Sequence, residues 1–165
     1  MRLRQGGPED TSEILRMFDE AVAWLTERGS AQQWGSRPWS EIPERVDLVR
    51  GLASKGLWIA EADGAVAGTL AISEGAPEYA PPAGERELYV RWLLVDRAHT
   101  GRNVGGRLLD HARQRARELG INLVRVDCWS GGDGALIRYY EGQGFTPTVR
   151  VPVKDKEVQV FEDRL

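Results

Sequence analysis

The run Val95-Asp96-Arg97-Ala98-His99-Thr100-Gly101-Arg102-Asn103-Val104-Gly105-Gly106-Arg107 holds the residue types of this chain that are best spaced to bind an anion. Its apolar lead-in reads as a strand, the glycines as a turn, and the apolar spacing after Val104 as a helix. Main-chain N–H groups at a helix start lack a carbonyl partner, and the aligned peptide dipoles leave about half a positive charge there. Gly105 and Gly106, which have no Cβ, let a ligand approach those amides closely. The chemistry predicted for residues 102–106 is capture of a phosphate or diphosphate. A helix that follows a flexible turn and binds nothing is the plainer alternative.

Two nucleotide readings fail on residue identity. Gly101 to Gly106 has the spacing of a P-loop, but Arg107 stands where its Lys belongs and Leu108 where the Mg²⁺-binding Ser or Thr belongs. A dinucleotide fingerprint needs G-x-G-x-x-G, and the glycines here are not so spaced.

The elements that must position this turn are marked by period and by breakers. Asp10 or Thr11 can cap a helix carrying Ile14, Leu15, Phe18, Val22 and Leu25, which ends before Gly29. A second helix follows Pro43 with Val46, Val49 and Leu52 and stops at Gly56. Asp63-Gly64 joins strands over 57–62 and 65–72 as a hairpin. Residues 75–84 contain Pro77, Pro81 and Pro82, which predicts a surface loop. Then come a strand over 87–95, a helix over 104–119, a strand over 123–129, a helix from the glycine cluster at 131–134 to about 143, and strands over 145–153 and 157–161. The order predicts the α/β (α+β) class: a mixed, mostly antiparallel sheet of six to seven strands flanked by about four helices, in a single domain over 1–165.

Composition narrows the partners. Lys and Arg total 22 against 25 Asp and Glu, giving a net charge of −3 and no basic stripe, so no nucleic acid is expected. Cys128 is the only cysteine, which excludes an internal disulfide, and no metal site is expected. That thiol reads as a small buried hydrophobe. No segment reaches the uncharged length that spans a bilayer, and the chain reads as soluble and cytoplasmic.

The glycine turn and a second segment, Tyr140-Glu141-Gly142-Gln143-Gly144-Phe145, together resemble the GNAT acetyltransferase superfamily. Its cofactor loop, (Gln/Arg)-x-x-Gly-x-(Gly/Ala) after a Val-Asp-Pro-like turn, falls on Thr100-Gly101-Arg102-Asn103-Val104-Gly105; its second signature is close to Tyr-Glu-x-x-Gly-Phe. One helix and one strand separate the two, as in the family, and the specific motifs lie between Leu88 and Phe145. Thr100 departs from the usual Gln or Arg, and Asn103 from a glycine, although Asn tolerates positive φ better than other side chains. Arg102 or Arg107 is placed to restore the charge missing at Thr100.

The resemblance implies transfer of an acetyl group from acetyl-CoA to the primary amine of a small molecule, amino acid or peptide. It implies direct attack with no covalent enzyme intermediate; the alternative is a module that holds coenzyme A or an acyl-CoA without turnover. Cofactor contacts are implied for the main chain of Leu93 and Val95, for Thr100, Gly101, Arg102, Asn103, Val104, Gly105, Gly106 and Arg107, and for Asp133, whose other reading is a helix cap. Tyr140 takes the general-acid position, with Tyr139 left to the core. Glu87 and Asp127 are the candidate bases, since Glu87, Tyr89, Arg91 and Leu93 share one strand face and Asp127 lies on the neighbouring strand. Trp24 and Trp34, with Trp39, fall where the family closes over its acceptor, and Tyr89 and Arg91 are further acceptor candidates. Arg91 favours a carboxylate-bearing acceptor while the overall acidity favours a cationic one, and both stay open. His99 is expected to be structural or solvent-facing and not catalytic, and a homodimer is left open.

Overall fold

The structure is a computed structural model and describes residues 1–31 and 33–165. Seven strands, β1 (Arg2–Gln5), β2 (Leu57–Ala62), β3 (Ala65–Glu74), β4 (Leu88–Val95), β5 (Leu123–Trp129), β6 (Thr146–Val153) and β7 (Lys156–Arg164), form a sheet in the order β1-β2-β3-β4-β5-β7-β6. The helices are α1 (Thr11–Glu27), α2 (Pro43–Ala53), α3 (Val104–Glu118) and α4 (Ala135–Gly142). Among the described residues no helix is long and apolar enough to cross a membrane. Contacts group the chain into two compact units, residues 1–71 with 92–108, and residues 72–91 with 109–165.

In the first unit β1 and β2 pair antiparallel, and β2 turns into β3 through Asp63 and Gly64, both at positive φ (55° and 75°). A two-residue hairpin turn of the primed type needs that backbone at both positions. The apolar stripe of α1 buries Ile14, Met17, Phe18, Ala21 and Val22 in a core with Trp39, Val49, Leu57, Ile59, Trp92 and Leu94. Phe18 is its hub, stacked on Trp39 at 4.0 Å and edge-on to Trp34 and Trp92 at 5.3 and 5.6 Å. The Asp10 side chain does not cap α1: its carboxylate accepts from Arg4 and from the Gly7 N–H. Gly68 on β3 fixes where α3 begins. A Cβ there would lie 2.8 Å from Val104 Cγ1 and 2.9 Å from the Leu94 carbonyl oxygen, so only glycine lets the helix start approach this closely.

In the second unit β7 lies between β5 and β6 and is antiparallel to both. Pairing explains why β7 runs three residues beyond the expected 157–161: Glu162, Asp163 and Arg164 are carried by the ladder to Arg125, Val124 and Leu123. The C-terminal part of α3 is tied down by Arg113, which donates to Asp163 at 2.7 Å and covers the Phe145 ring at 4.7 Å. The parallel ladder of β4 with β5 comprises Leu88↔Val124 and Tyr89↔Arg125. Within this unit it is not continued at Val90 and Arg91, although β5 runs on through Asp127 to Trp129.

Candidate active site

The turn singled out by the sequence is built within the first unit. After β4 the chain makes a tight turn at Arg97–His99, passes Gly101 and Asn103 at φ 83° and 57°, and enters α3, whose first helical bond runs from the Arg107 N–H to the Asn103 carbonyl at 3.2 Å. The N–H groups of Val104, Gly105 and Gly106 therefore precede any intrahelical acceptor. Asn103 adopts the left-handed backbone that its place in the motif requires. The turn is braced from behind: the Asp96 N–H donates to Ala67 at 2.8 Å, buried His99 holds Asp96 through Nδ1 at 3.1 Å, and the Thr100 hydroxyl donates to the Arg97 carbonyl at 3.1 Å. Of the two cations expected to replace the missing charge, Arg102 is engaged by Asp63 at 2.7 Å. Arg107 is exposed on the first turn of α3 and makes no ion pair among the described residues.

The second unit holds the carboxylates, and they differ sharply. Glu87 is only 6% exposed and both its oxygens accept from Arg125 at 3.0 and 3.2 Å, while Arg125 also donates to the Pro81 carbonyl at 2.9 Å. A carboxylate so held is a clamp between β4, β5 and the proline loop. Glu87→Ala strands a buried guanidinium, and a loss of about 3–5 kcal/mol of unfolding free energy is expected, measured by urea denaturation. Asp127 accepts from the hydroxyls of Tyr89 at 2.6 Å and Tyr79 at 2.7 Å, both on Oδ2. Burial pushes the Asp127 carboxyl above the usual carboxylate range, opposed by those two hydrogen bonds and by Lys156 and Arg91. A carboxylate made more basic by burial is suited to taking a proton from an amine.

The sequence profile of the Acetyltransferase (GNAT) family matches residues 18–145. The chain belongs to the GNAT acetyltransferase family. N-acetyltransferase 8 of Mus musculus is 30% identical over 122 residues, a match covering 68% of this chain and 52% of that protein, so the chain spans about half the length of this relative. The uncharacterized N-acetyltransferase YesJ of Bacillus subtilis (strain 168) is 26% identical over 150 residues, 83% of this chain and 77% of its own. Among solved structures, a GNAT acetyltransferase from Streptococcus agalactiae 2603 superposes with a TM-score of 0.75 at 18% identity, covering 99% of this chain and 95% of the other. The protein yncA from Salmonella typhimurium, solved with its cofactor acetyl-CoA, gives 0.71 at 22% identity, covering 100% and 94%.

This member of the GNAT family distributes its other expected site residues unevenly. Tyr140 is the buried member of its pair, 7% exposed, with its ring 6.1 Å from Phe145 and 5.6 Å from Phe161; Tyr139, expected in the core, is 38% exposed. Helical geometry turns adjacent side chains about 100° apart, so only one can enter the core. Burial pushes the Tyr140 phenol well above the ordinary tyrosine range, and its hydroxyl makes no hydrogen bond among the described residues. Asp133 accepts from the Ala135 N–H at 3.0 Å and so serves the start of α4. Cys128 is buried, its thiol pushed up to about 12 by burial and by Asp127, which keeps it protonated.

The expected acceptor wall is largely absorbed by the fold. The Trp24 ring is covered by the guanidiniums of Arg97 at 3.6 Å and Arg28 at 4.2 Å, and Trp34 packs on the core through Phe18. Tyr89 is 0% exposed and contributes its hydroxyl to Asp127 rather than a surface to an acceptor. Arg91, Leu93 and Val95 are the half-buried members of β4, alternating with buried Val90, Trp92 and Leu94. Tyr79 and Arg125 were not singled out from the sequence: the proline loop reads only as surface, and nothing local marks a tyrosine that reaches a strand 48 positions away.

Proposed function

We propose that this acetyltransferase moves the acetyl group of acetyl-CoA to the primary amine of a small molecule, amino acid or peptide, by direct attack. The observation that carries this reading is the pair of left-handed residues, Gly101 and Asn103, that turns the chain into α3 with the amides of Val104, Gly105 and Gly106 ahead of any intrahelical acceptor. Those donors, with no side chain at 105 or 106 and Arg107 beside them, fit a diphosphate. Leu93 and Val95 offer main-chain groups to the remainder of the donor. The bound thioester supplies an activated acetyl group. Asp127 takes a proton from the acceptor's ammonium and passes it to water, freeing the lone pair that attacks the carbonyl carbon. As the carbon–nitrogen bond forms and the carbon–sulfur bond breaks, Tyr140 gives its proton to sulfur and recovers one from the acylated nitrogen. Its burial supports this role, because a phenol of high proton affinity stays protonated at neutral pH.

Two readouts test the reading. Acetyl-CoA at about a hundred times its dissociation constant adds roughly 2.7 kcal/mol to the folded state and should raise Tm by several degrees. Release of free thiol across a panel of amines, amino acids, polyamines and aminoglycosides should then identify the acceptor. A thermal shift without thiol release from any amine would make the chain a holder of the coenzyme, and no shift would remove the cradle from the argument.

A further inference from the structure

We propose that Tyr79, carried on the proline loop, is a positioning residue for the acetyl transfer, holding the Asp127 carboxylate so that one oxygen is left for the acceptor amine. The inference rests on the reading of Asp127 as the base and adds a residue and a loop to it. Tyr79 and Tyr89 approach from two different segments, the loop before β4 and β4 itself, and both donate to the same oxygen, Oδ2, at 2.7 and 2.6 Å. A carboxylate pinned through one oxygen by two donors has its plane fixed, and its other oxygen presents its lone pairs in a set direction.

The loop is built to hold the tyrosine in place. Residues 77–80 form a turn closed by the Ala80 N–H to the Pro77 carbonyl at 3.0 Å, with Pro77 and Ala80 buried on either side of exposed Tyr79. One residue further on, the Pro81 carbonyl accepts from Arg125, which is itself fixed by buried Glu87. The clamp of Glu87 and Arg125 thus anchors the loop next to Tyr79, and Tyr79 anchors the carboxylate. The prolines rigidify the backbone between these points. On β5, Asp127 lies beyond Arg125, which is the β5 partner in the last β4–β5 pair of this unit, so the same contacts orient a carboxylate that strand pairing with β4 does not.

Burial raises the proton affinity of Asp127, and four groups oppose it: the hydroxyls of Tyr89 from β4 and Tyr79 from the loop, and the cations Lys156 from β7 and Arg91 from β4. Cys128 beside it on β5 and Tyr140 from α4 are held protonated, and so uncharged, where the carboxyl titrates. The tyrosines donate to the ionised form and so hold its proton affinity down; deleting one donor raises it.

The test is Tyr79→Phe, a change at a side chain 40% exposed that removes one hydroxyl and leaves the loop packing intact. The Asp127 side-chain carboxyl is followed by ¹³C NMR titration, and kcat/KM by its pH profile. The expected result is an upward shift of the Asp127 titration and of the acid limb by about one pH unit, with about a tenfold loss of kcat/KM on that limb that narrows as pH rises. A wild-type carboxyl titration in Tyr79→Phe overturns the positioning role while leaving the base untouched. Wild-type turnover by Asp127→Asn overturns the base, and the role of Tyr79 with it. A carboxyl shift accompanied by the matching shift of the acid limb supports the proposal, since a merely structural tyrosine moves neither.

Discussion

Asp127→Asn is expected to lose between about a hundredfold and ten-thousandfold in kcat/KM while melting no lower than the parent protein. The two halves of that result come from one cause. Burial raises the carboxyl's proton affinity in the folded chain, so across the pH range just above the ordinary carboxylate value the folded state binds more protons than the unfolded state. Stability then falls as pH rises through that window, and at neutral pH the ionised carboxylate is a net cost to the fold. Asn removes the charge and keeps a carbonyl oxygen to accept from Tyr79 and Tyr89, so stability holds or rises while the base is gone. The wild-type enzyme should lose kcat/KM as pH falls through the raised Asp127 value, and the variant should lack that limb. Full turnover at neutral pH by the Asn variant would show that the proton leaves by another route, and a lower Tm would show that the carboxylate's contacts, not its charge, dominate.

Tyr140→Phe is the second large effect: kcat should drop about a hundredfold, with the thermal shift produced by acetyl-CoA preserved. Phe fits the same slot between Phe145 and Phe161, so the fold has little to lose. The substitution deletes only a hydroxyl without a hydrogen-bond partner among the described residues, which leaves proton donation as the function at stake. Because burial holds this phenol above the ordinary tyrosine range, no alkaline limb from its ionisation is expected within the usual assay window. Stopped-flow or steady-state thiol release decides it, and an unchanged kcat removes Tyr140 from the mechanism.

The sequence by itself determined the elements and the shape of the anion turn. Hydrophobic period placed α1, α3 and the strands, and Asp63-Gly64 placed the hairpin, because these signals are local and each residue's partner lies within a few positions. The turn into α3 was legible for the same reason: positive φ at Gly101 and Asn103 and a bare first turn at Gly105 and Gly106 are properties of those residues themselves. A local signal also misled where another partner won, as at Asp10, whose carboxylate is held by Arg4 and not by the first turn of α1. Only the tertiary structure decided which carboxylate is which. Glu87 and Asp127 are equally plausible from strand alternation; packing gave one a buried guanidinium and the other two phenols, and the partners Arg125 and Tyr79 stand 38 and 48 residues away. Packing likewise chose Tyr140 over Tyr139 for the interior and covered Trp24 with Arg97. Proton affinity depends on burial and on neighbours brought together by folding, and neither is written in the spacing of residues along the chain.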